Sequence, residues 1–203
     1  YNIICNFSPT SRGILRYMKP LQLSKPHAIL VVGLPGSGKT FFARHFSDTF
    51  SAPFIDAATI YEHLRDTEAT ETILQAFLDE VAKTRQTFIH EPIISTRVGR
   101  SEFAKWARNA GYEPLVVWVQ TDNTTAERRS KKHGRSLDEH EELARRFHAP
   151  RETEKPAVIS GKHTQGSQAR TVLTRLSAAH MQEPLTVPKR VNPNSRSIDI
   201  KRG

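Results

Sequence analysis

Apolar residues recur along the chain in two patterns: short continuous runs, and longer segments in which every third or fourth position is apolar. The continuous runs cover residues 28–32, 52–55, 87–90, 115–119 and 157–160. Between the second and third runs, Ile73, Phe77 and Val81 fall on one helical face. Phe103 and Trp106 begin a second such stripe before the fourth run. Short buried strands that alternate with amphipathic helices predict an α/β fold, in which helices cover both faces of a parallel sheet.

The two ends of the chain lack this pattern. Residues 1–26 contain lysines and arginines but no acidic residue, which indicates a basic N-terminal extension. Residues 181–203 combine prolines with scattered cations, which predicts a basic and disordered tail. We therefore expect residues 27–180 to form the folded domain.

Composition narrows the classes of function. The chain has 203 residues, a formal net charge of +9 and a sequence pI near 9.9. Such a charge favours polyanionic partners, either nucleotides or nucleic acid. The single cysteine excludes an internal disulfide, and no apolar run approaches the ~20 residues that a membrane-spanning helix needs. We expect a cytoplasmic protein without a membrane span, and we take it to be a monomer.

The first apolar run leads directly into a glycine-rich segment of the form G-x-x-x-x-G-K-[ST], the Walker A pattern. Glycines allow backbone N–H groups to turn inward around phosphate oxygens. Lys39 is expected to reach the β- and γ-phosphates of ATP, and the Thr40 hydroxyl to ligate Mg²⁺. Phe42, Phe46 and Phe50 then fall on one face of a helix, whose N-terminus favours anions. The expected nucleotide contacts in this segment are Gly33, Pro35, Gly36, Ser37, Gly38, Lys39, Thr40 and Phe41.

Further along the chain, residues 93–100 form a polar and basic loop, followed by an amphipathic helix, Gly111, Tyr112 and an apolar strand. Together with the Walker A segment, this order resembles the small P-loop kinases, in particular the polynucleotide-kinase-like and zeta-toxin-like branches and AAA_33-type ATP-binding proteins. The similarity covers roughly residues 27–180. It implies a three-layer fold with a five-stranded parallel sheet in the order 2-3-1-4-5, and a helical lid at about residues 122–150.

The resemblance assigns roles to side chains at two strand ends. Asp56 follows the second strand, where open α/β sheets place their ligands, and it would accept the proton of the attacking hydroxyl. Its alternative role is that of an N-cap for the next helix. Glu91 ends the third strand and would hold Mg²⁺; otherwise it is a solvated strand end. Arg97 and Arg100 would grip the phosphate acceptor, or else form a surface salt bridge, for instance with Glu102.

Two further regions are expected to contact the nucleotide. Arg128 and Arg135 lie in the basic segment of the lid and would bring cations to the γ-phosphate; the alternative is a charged surface helix paired with the acidic residues 139, 141 and 142. Ser136 followed by Glu139 is typical of a capping box that begins another helix. Lys162 and Thr164 follow the fifth strand and would line the base or ribose, although strand-to-helix turns commonly use such residues.

These residues support one principal hypothesis and two alternatives. The principal one is an ATP- and Mg²⁺-dependent kinase that phosphorylates a hydroxyl of a nucleic-acid end, a nucleoside or a small metabolite. The first alternative is a zeta-toxin-like kinase acting on a sugar nucleotide. The second is a non-catalytic ATP-binding module, tethered to nucleic acid by its basic ends.

Overall fold

A computed structural model of the chain describes residues 21 and 23–180, with the side chains of residues 179 and 180 excepted. The predicted tail (181–203) and nearly all of the predicted extension lie outside the described residues. The strands are β1 (His27–Val32), β2 (Phe54–Asp56), β3 (Phe88–Glu91), β4 (Glu113–Gln120) and β5 (Ala157–Ser160). The helices are α1 (Lys39–Phe50), α2 (Ala57–Leu64), α3 (Thr67–Lys83), α4 (Arg97–Asn109), α5 (Asn123–Lys132), α6 (Leu137–Arg146) and α7 (Gln165–His180), with a 3₁₀ turn at Glu152–Glu154.

All strand pairs in the sheet are parallel, and the strand order is β2-β3-β1-β4-β5. This confirms the α/β class and the order that the resemblance implies. Every residue of β1 is buried, because this strand lies at the centre of the sheet with helices over both faces. The central position also explains why the run from residue 28 to 32 is continuously apolar instead of alternating.

Two core clusters lie on opposite faces of the sheet. Under α1 and α7, Ile29 packs with Phe42, Phe46 and Leu176. On the other face, Ala28 packs with Phe88, Leu78 and Tyr112 under α3 and α4. Leu21 and Leu23, which the sequence analysis places in the extension, pack against the first cluster.

Helix starts follow local sequence signals. Thr96 caps α4 and accepts from the Gly99 amide, and Asp122 caps α5 in the same manner. Ser136 and Glu139 form the predicted capping box at the start of α6. None of the described helices combines the length and the apolar character that crossing a bilayer requires.

Candidate functional site

The glycine-rich segment forms the connection between β1 and α1, and the surrounding backbone approaches it closely. Gly36 has a φ of 75°, and a Cβ placed on it would lie 2.1 Å from the carbonyl oxygen of Ala126. A Cβ on Gly161 would lie 2.0 Å from the carbonyl oxygen of Ser37. The loop is therefore enclosed by α5 on one side and by the β5–α7 connection on the other, and both approaches require glycine.

Lys39, Thr40 and Glu91 meet at the carboxyl end of β1 and β3. Lys39 Nζ donates to the Leu34 carbonyl oxygen at 3.1 Å and lies 3.7 Å from Glu91 Oε1. The Thr40 hydroxyl donates to the same carboxylate oxygen at 3.1 Å. These three residues, which the sequence predicts at one site, are in contact in the structure.

Burial shifts the pKa values of Lys39 and Glu91 in opposite directions. Burial lowers the pKa of Lys39, and the nearby charge of Arg135 lowers it further, while Glu91 opposes both. Burial likewise raises the pKa of Glu91, against the stabilising effect of the Lys39 ammonium. Each charge thus depends on the other for its stability in this poorly solvated position.

The oxygen atoms at this site suit a magnesium ion carried by a nucleotide. Glu91 Oε2 is buried and has no hydrogen-bond partner within the part of the chain that the structure describes. The Thr40 hydroxyl donates to the other oxygen of this carboxylate, and hard oxygen ligands are those that Mg²⁺ prefers. Among the described residues, no group of three or more His, Cys, Asp or Glu side chains could hold a metal by itself. These oxygens therefore fit an ion that takes its other ligands from phosphate and water.

Asp56 ends β2 directly beside Glu91, with which it is paired in the β2–β3 register. Its Oδ1 accepts from the Ala58 amide at 3.1 Å, so the residue is the N-cap of α2. Its Oδ2 faces Arg44 at 3.9 Å. The negative charge of Asp56 acts on both Lys39 and Glu91. One carboxylate oxygen thus caps the helix and the second stays at the candidate site.

The two arginines predicted to grip the acceptor have different environments. Arg97 is exposed at the start of α4. Arg100 is 2% exposed, and protein oxygens accept from all of its guanidinium nitrogens: Glu154 at 2.7 and 2.9 Å, Ser95 Oγ at 3.1 Å, and the carbonyls of Ser95, His148 and Ala149. For Arg100, the alternative of a surface salt bridge, for instance with Glu102, is therefore wrong, because the ion pair is buried and its partner is Glu154. Since no donor of Arg100 is left over, we do not include Arg100 in an acceptor site.

The basic segment of α5 presents a residue that the sequence analysis did not select. Ala126 and Ser130 are buried where α5 meets the glycine-rich loop. Arg129, on the same helical face, donates to the Gly161 carbonyl at 3.1 Å and lies within 3.9 Å of the Cβ position of Gly38. Arg128 is exposed at the neighbouring position. In the sequence, the small residues Ala126 and Ser130 lie four positions apart and could have indicated which face of α5 packs against the loop.

In the connection between β5 and α7, both residues predicted to line the base or ribose have partners within the protein. Lys162 Nζ lies 2.5 Å from Asp122 Oδ2, and this contact holds the pKa of Asp122 well below its usual range. Thr164 Oγ1 accepts from the Ser167 amide at 3.4 Å, as turn and cap residues do. Thr121, which the sequence analysis did not single out, donates from its hydroxyl to the Ser37 carbonyl at 3.1 Å. Thr121 thereby fixes the glycine-rich loop to the end of β4.

Comparisons with known proteins agree with this architecture. A family model described as an AAA domain, AAA_33, matches residues 29–152. No curated protein sequence matches the chain. A gluconokinase from Sinorhizobium meliloti 1021 superimposes with a TM-score of 0.61 at 16% identity, over 77% of this chain and 94% of the gluconokinase.

Two further solved structures have the same fold. The Mycobacterium tuberculosis APS kinase CysC in complex with AMPPNP and APS gives a TM-score of 0.59 at 18% identity, over 75% of this chain and 98% of that one. Chaetomium thermophilum Kti12 in complex with ADP-AlF3 gives 0.58 at 21% identity, with the same coverage. These similarities confirm the three-layer α/β fold of P-loop kinases.

Proposed function

Because the chain belongs to the AAA_33 family of AAA domains, we propose that it is an ATP- and Mg²⁺-dependent phosphotransferase, which moves the γ-phosphate of ATP to a hydroxyl group. The observation that carries this proposal is the meeting of Lys39, Thr40, Glu91 and Asp56 beside the glycine-rich loop. A phosphate cradle, oxygen ligands for a metal and a carboxylate that can accept a proton are the groups that phosphoryl transfer requires.

The nucleotide would occupy the glycine-rich loop, from Gly33 to Phe41, with its phosphates against the backbone amides. Lys39 Nζ now donates to the Leu34 carbonyl, and a phosphate oxygen would replace that carbonyl as the acceptor. Arg129 lies over Gly38 and Gly161, where its guanidinium would contact the nucleotide more readily than the exposed Arg128. Arg135 would add positive charge near Lys39, and Lys162 and Thr164 would border the base or ribose.

Thr40 and Glu91 would hold the magnesium ion that accompanies the nucleotide. When bound, such an ion neutralises charge on the transferring phosphoryl group. Glu91 must be ionised to act as a ligand, and the Lys39 ammonium 3.7 Å away favours that form.

Asp56 would act on the acceptor side. Its Oδ2 would take the proton from the acceptor hydroxyl while the hydroxyl oxygen bonds to the γ-phosphorus and the bond to the ADP oxygen breaks. Arg97 would border the acceptor in the same proposal. Neither the family match nor the solved structures support a nucleic-acid acceptor, so the acceptor we propose is a small hydroxyl compound.

A pair of N-cap variants tests the role of Asp56. Asp66 caps α3 as Asp56 caps α2, with its side chain accepting from the Ala69 amide. We expect Asp56→Asn to slow transfer from labelled ATP by about 10²-fold or more, with ADP affinity unchanged within about twofold. Asp66→Asn, the matched control, should keep the wild-type rate.

Transfer at the wild-type rate in Asp56→Asn would remove the proposed role. Calorimetry that shows ATP binding to the wild-type protein, without transfer or hydrolysis across a panel of acceptors, would instead identify the non-catalytic module.

A further inference from the structure

We propose that Arg44 binds an anionic group of the acceptor, so that the compound phosphorylated at this site carries a carboxylate or a phosphate close to its reacting hydroxyl. The inference rests on the proposed function, since it names the class of compound that would be presented to Asp56. Arg44 has no role in the proposed transfer itself, and its guanidinium lies beside Asp56 Oδ2, the oxygen that would take the proton.

Arg44 approaches Asp56 from the neighbouring helix, since α1 contacts β2. Arg44 Nη2 lies 3.9 Å from Asp56 Oδ2, whereas charge-assisted hydrogen bonds between such groups are about 2.7–2.9 Å long. The two groups therefore face each other without a hydrogen bond. A hydroxyl of the acceptor can donate to Oδ2 while a neighbouring oxygen of the same compound accepts from the guanidinium.

The guanidinium of Arg44 retains unused donors. The side chain is 67% exposed, and within the part of the chain that the structure describes, its only partner is the Asp56 carboxylate. Arg100 differs in this respect, because protein oxygens accept from all of its guanidinium nitrogens. Arg44 can therefore bind a ligand without losing a hydrogen bond to the protein.

The two arginines near the start of α4 face a different carboxylate. Arg100 lowers the pKa of Glu154 through their hydrogen bond, and the charge of Arg97 adds to this effect. Among the described residues, Arg44 is the cation that lies within 4.0 Å of the proposed proton acceptor. An anionic group bound next to the reacting hydroxyl would therefore meet Arg44 first.

The separation of the two groups limits the kind of acceptor. A guanidinium fork matches the oxygens of carboxylate and phosphate groups. Because Nη2 and Oδ2 are 3.9 Å apart, the anionic group and the hydroxyl that contact them must lie within a few bonds of each other. Arg44 would also offset the repulsion between that anionic group and the Asp56 carboxylate. Small hydroxy acids and phosphorylated polyols satisfy these conditions.

Two matched pairs of compounds test this preference. Gluconate and glucitol differ at one carbon, which is a carboxylate in the first and an alcohol in the second. Glycerol 3-phosphate and glycerol differ only in the phosphate. Titration calorimetry measures the binding of each compound to protein saturated with ADP and Mg²⁺, so that the glycine-rich loop is already occupied. Transfer from labelled ATP then gives KM and kcat for each compound.

We expect the anionic member of at least one pair to bind about tenfold or more tightly than its neutral partner. Arg44→Gln should reduce this preference to about twofold or less, through weaker binding and a higher KM of the anionic compound. Arg44→Lys, which keeps the charge but not the fork, should retain part of the preference. Arg108→Gln removes an exposed arginine from the last turn of α4 and, as the matched control, should keep the wild-type preference.

Three results would overturn the inference. One is equal binding of the neutral and anionic members of both pairs, or binding of none of them. Another is an anion preference that persists in Arg44→Gln. The third is a fall in kcat by the same factor for both members of a pair in that variant, which would mean that Arg44 only holds Asp56 in position. Failure of the proposed function has a different signature, because the anionic compound would then bind in an Arg44-dependent manner without being phosphorylated.

Discussion

Burial controls the charge state of individual side chains at the carboxyl edge of the sheet. His90 is 4% exposed, its Nδ1 lies 3.1 Å from the Ile55 carbonyl, and its ring packs against Phe103. Burial lowers the pKa of His90 from 6.5 to about 4, so the ring is neutral in the folded protein at neutral pH. Glu91, one residue later, has the opposite shift for the same reason, because burial disfavours the charged form of either group.

The lowered pKa of His90 predicts a loss of stability in mild acid. Below pH 6.5 the unfolded chain takes up a proton that the folded protein refuses until about pH 4, so unfolding is favoured as the pH falls through this range. From about pH 7 to about pH 5, the wild-type protein should lose about 2 kcal/mol of unfolding free energy relative to His90→Gln. Urea unfolding of both proteins at each pH measures the difference. An equal pH dependence in the two proteins would contradict the prediction.

The raised pKa of Glu91 predicts that magnesium-dependent nucleotide binding weakens at a higher pH than an ordinary glutamate would allow. Protonated Glu91 is no longer a ligand, so ADP affinity in the presence of Mg²⁺ should fall as the pH decreases towards the raised pKa. Titration calorimetry with and without Mg²⁺ measures how much the ion raises ADP affinity at each pH. In Glu91→Gln, this increase in affinity should be near zero at every pH. A magnesium effect of wild-type size in Glu91→Gln would exclude Glu91 from the metal site.

At the scale of elements, the helices that follow β4 are fixed to the rest of the domain at both ends. The start of α5 packs on the glycine-rich loop through Ala126. Beyond α6, the His148 amide donates to the Ser95 carbonyl at 3.0 Å, and the buried Arg100 joins α4 to Glu154. Between these anchors, Gly134 separates α5 from α6 with open space around its Cβ position. A closing motion of the predicted lid would therefore involve α6 more than α5.

The Arg100–Glu154 pair should contribute much more to stability than ion pairs on the surface do. The Arg100 side chain is 1% exposed. Its removal would leave the carbonyls of His148 and Ala149 without this donor, and Glu154 with the Arg151 amide alone. We expect Arg100→Ala to lower the unfolding free energy by about 3–5 kcal/mol. Lys131→Ala breaks the exposed ion pair with Glu127, whose charged atoms lie 2.9 Å apart. This substitution should change the unfolding free energy by about 0.5 kcal/mol or less. Chemical denaturation compares the two, and similar losses would contradict the prediction.

Features that depend on neighbouring residues could be predicted from the sequence, whereas contacts between residues far apart in the chain could not. The strands were predicted because each depends on a local pattern, and the position of Lys39 and Thr40 between β1 and α1 because their motif spans only eight residues. The strand order was implied by the resemblance to P-loop kinases and by no local pattern. The partner of Arg100 lies 54 residues away, and no local spacing selects Glu154 over the nearer Glu102. The contact of Arg129 with Gly161 could not be predicted either, because it depends on how α5 rotates against the loop, and the buried residues Ala126 and Ser130 fix that rotation. The role of Arg128 stays a prediction.

At the scale of the whole molecule, the parallel sheet brings the candidate site residues together at the carboxyl ends of its strands. Asp56 and Glu91 end β2 and β3, and the glycine-rich loop follows β1, which lies beside β3 in the sheet. Thr121 and Gly161 follow β4 and β5 and contact the loop from the other side. The ends of β3, β4 and β5 thus contact the loop or the first residues of α1, and β1 leads into it. Nucleotide bound in the loop should therefore stabilise the domain as a unit.

Nucleotide binding is therefore predicted to raise the thermal stability of the entire domain in a single transition. At free ADP and Mg²⁺ about 100-fold above the Kd, linkage adds about 2.7 kcal/mol to the unfolding free energy, or roughly 5–10 °C in Tm for a domain of this size. Differential scanning calorimetry measures the shift. Lys39→Ala should abolish it, whereas Lys83→Ala, which removes an exposed lysine paired with Glu80 on α3, should leave it intact. A wild-type Tm that does not move with ADP at any concentration would mean that the loop, although built from the right residues, does not hold a nucleotide.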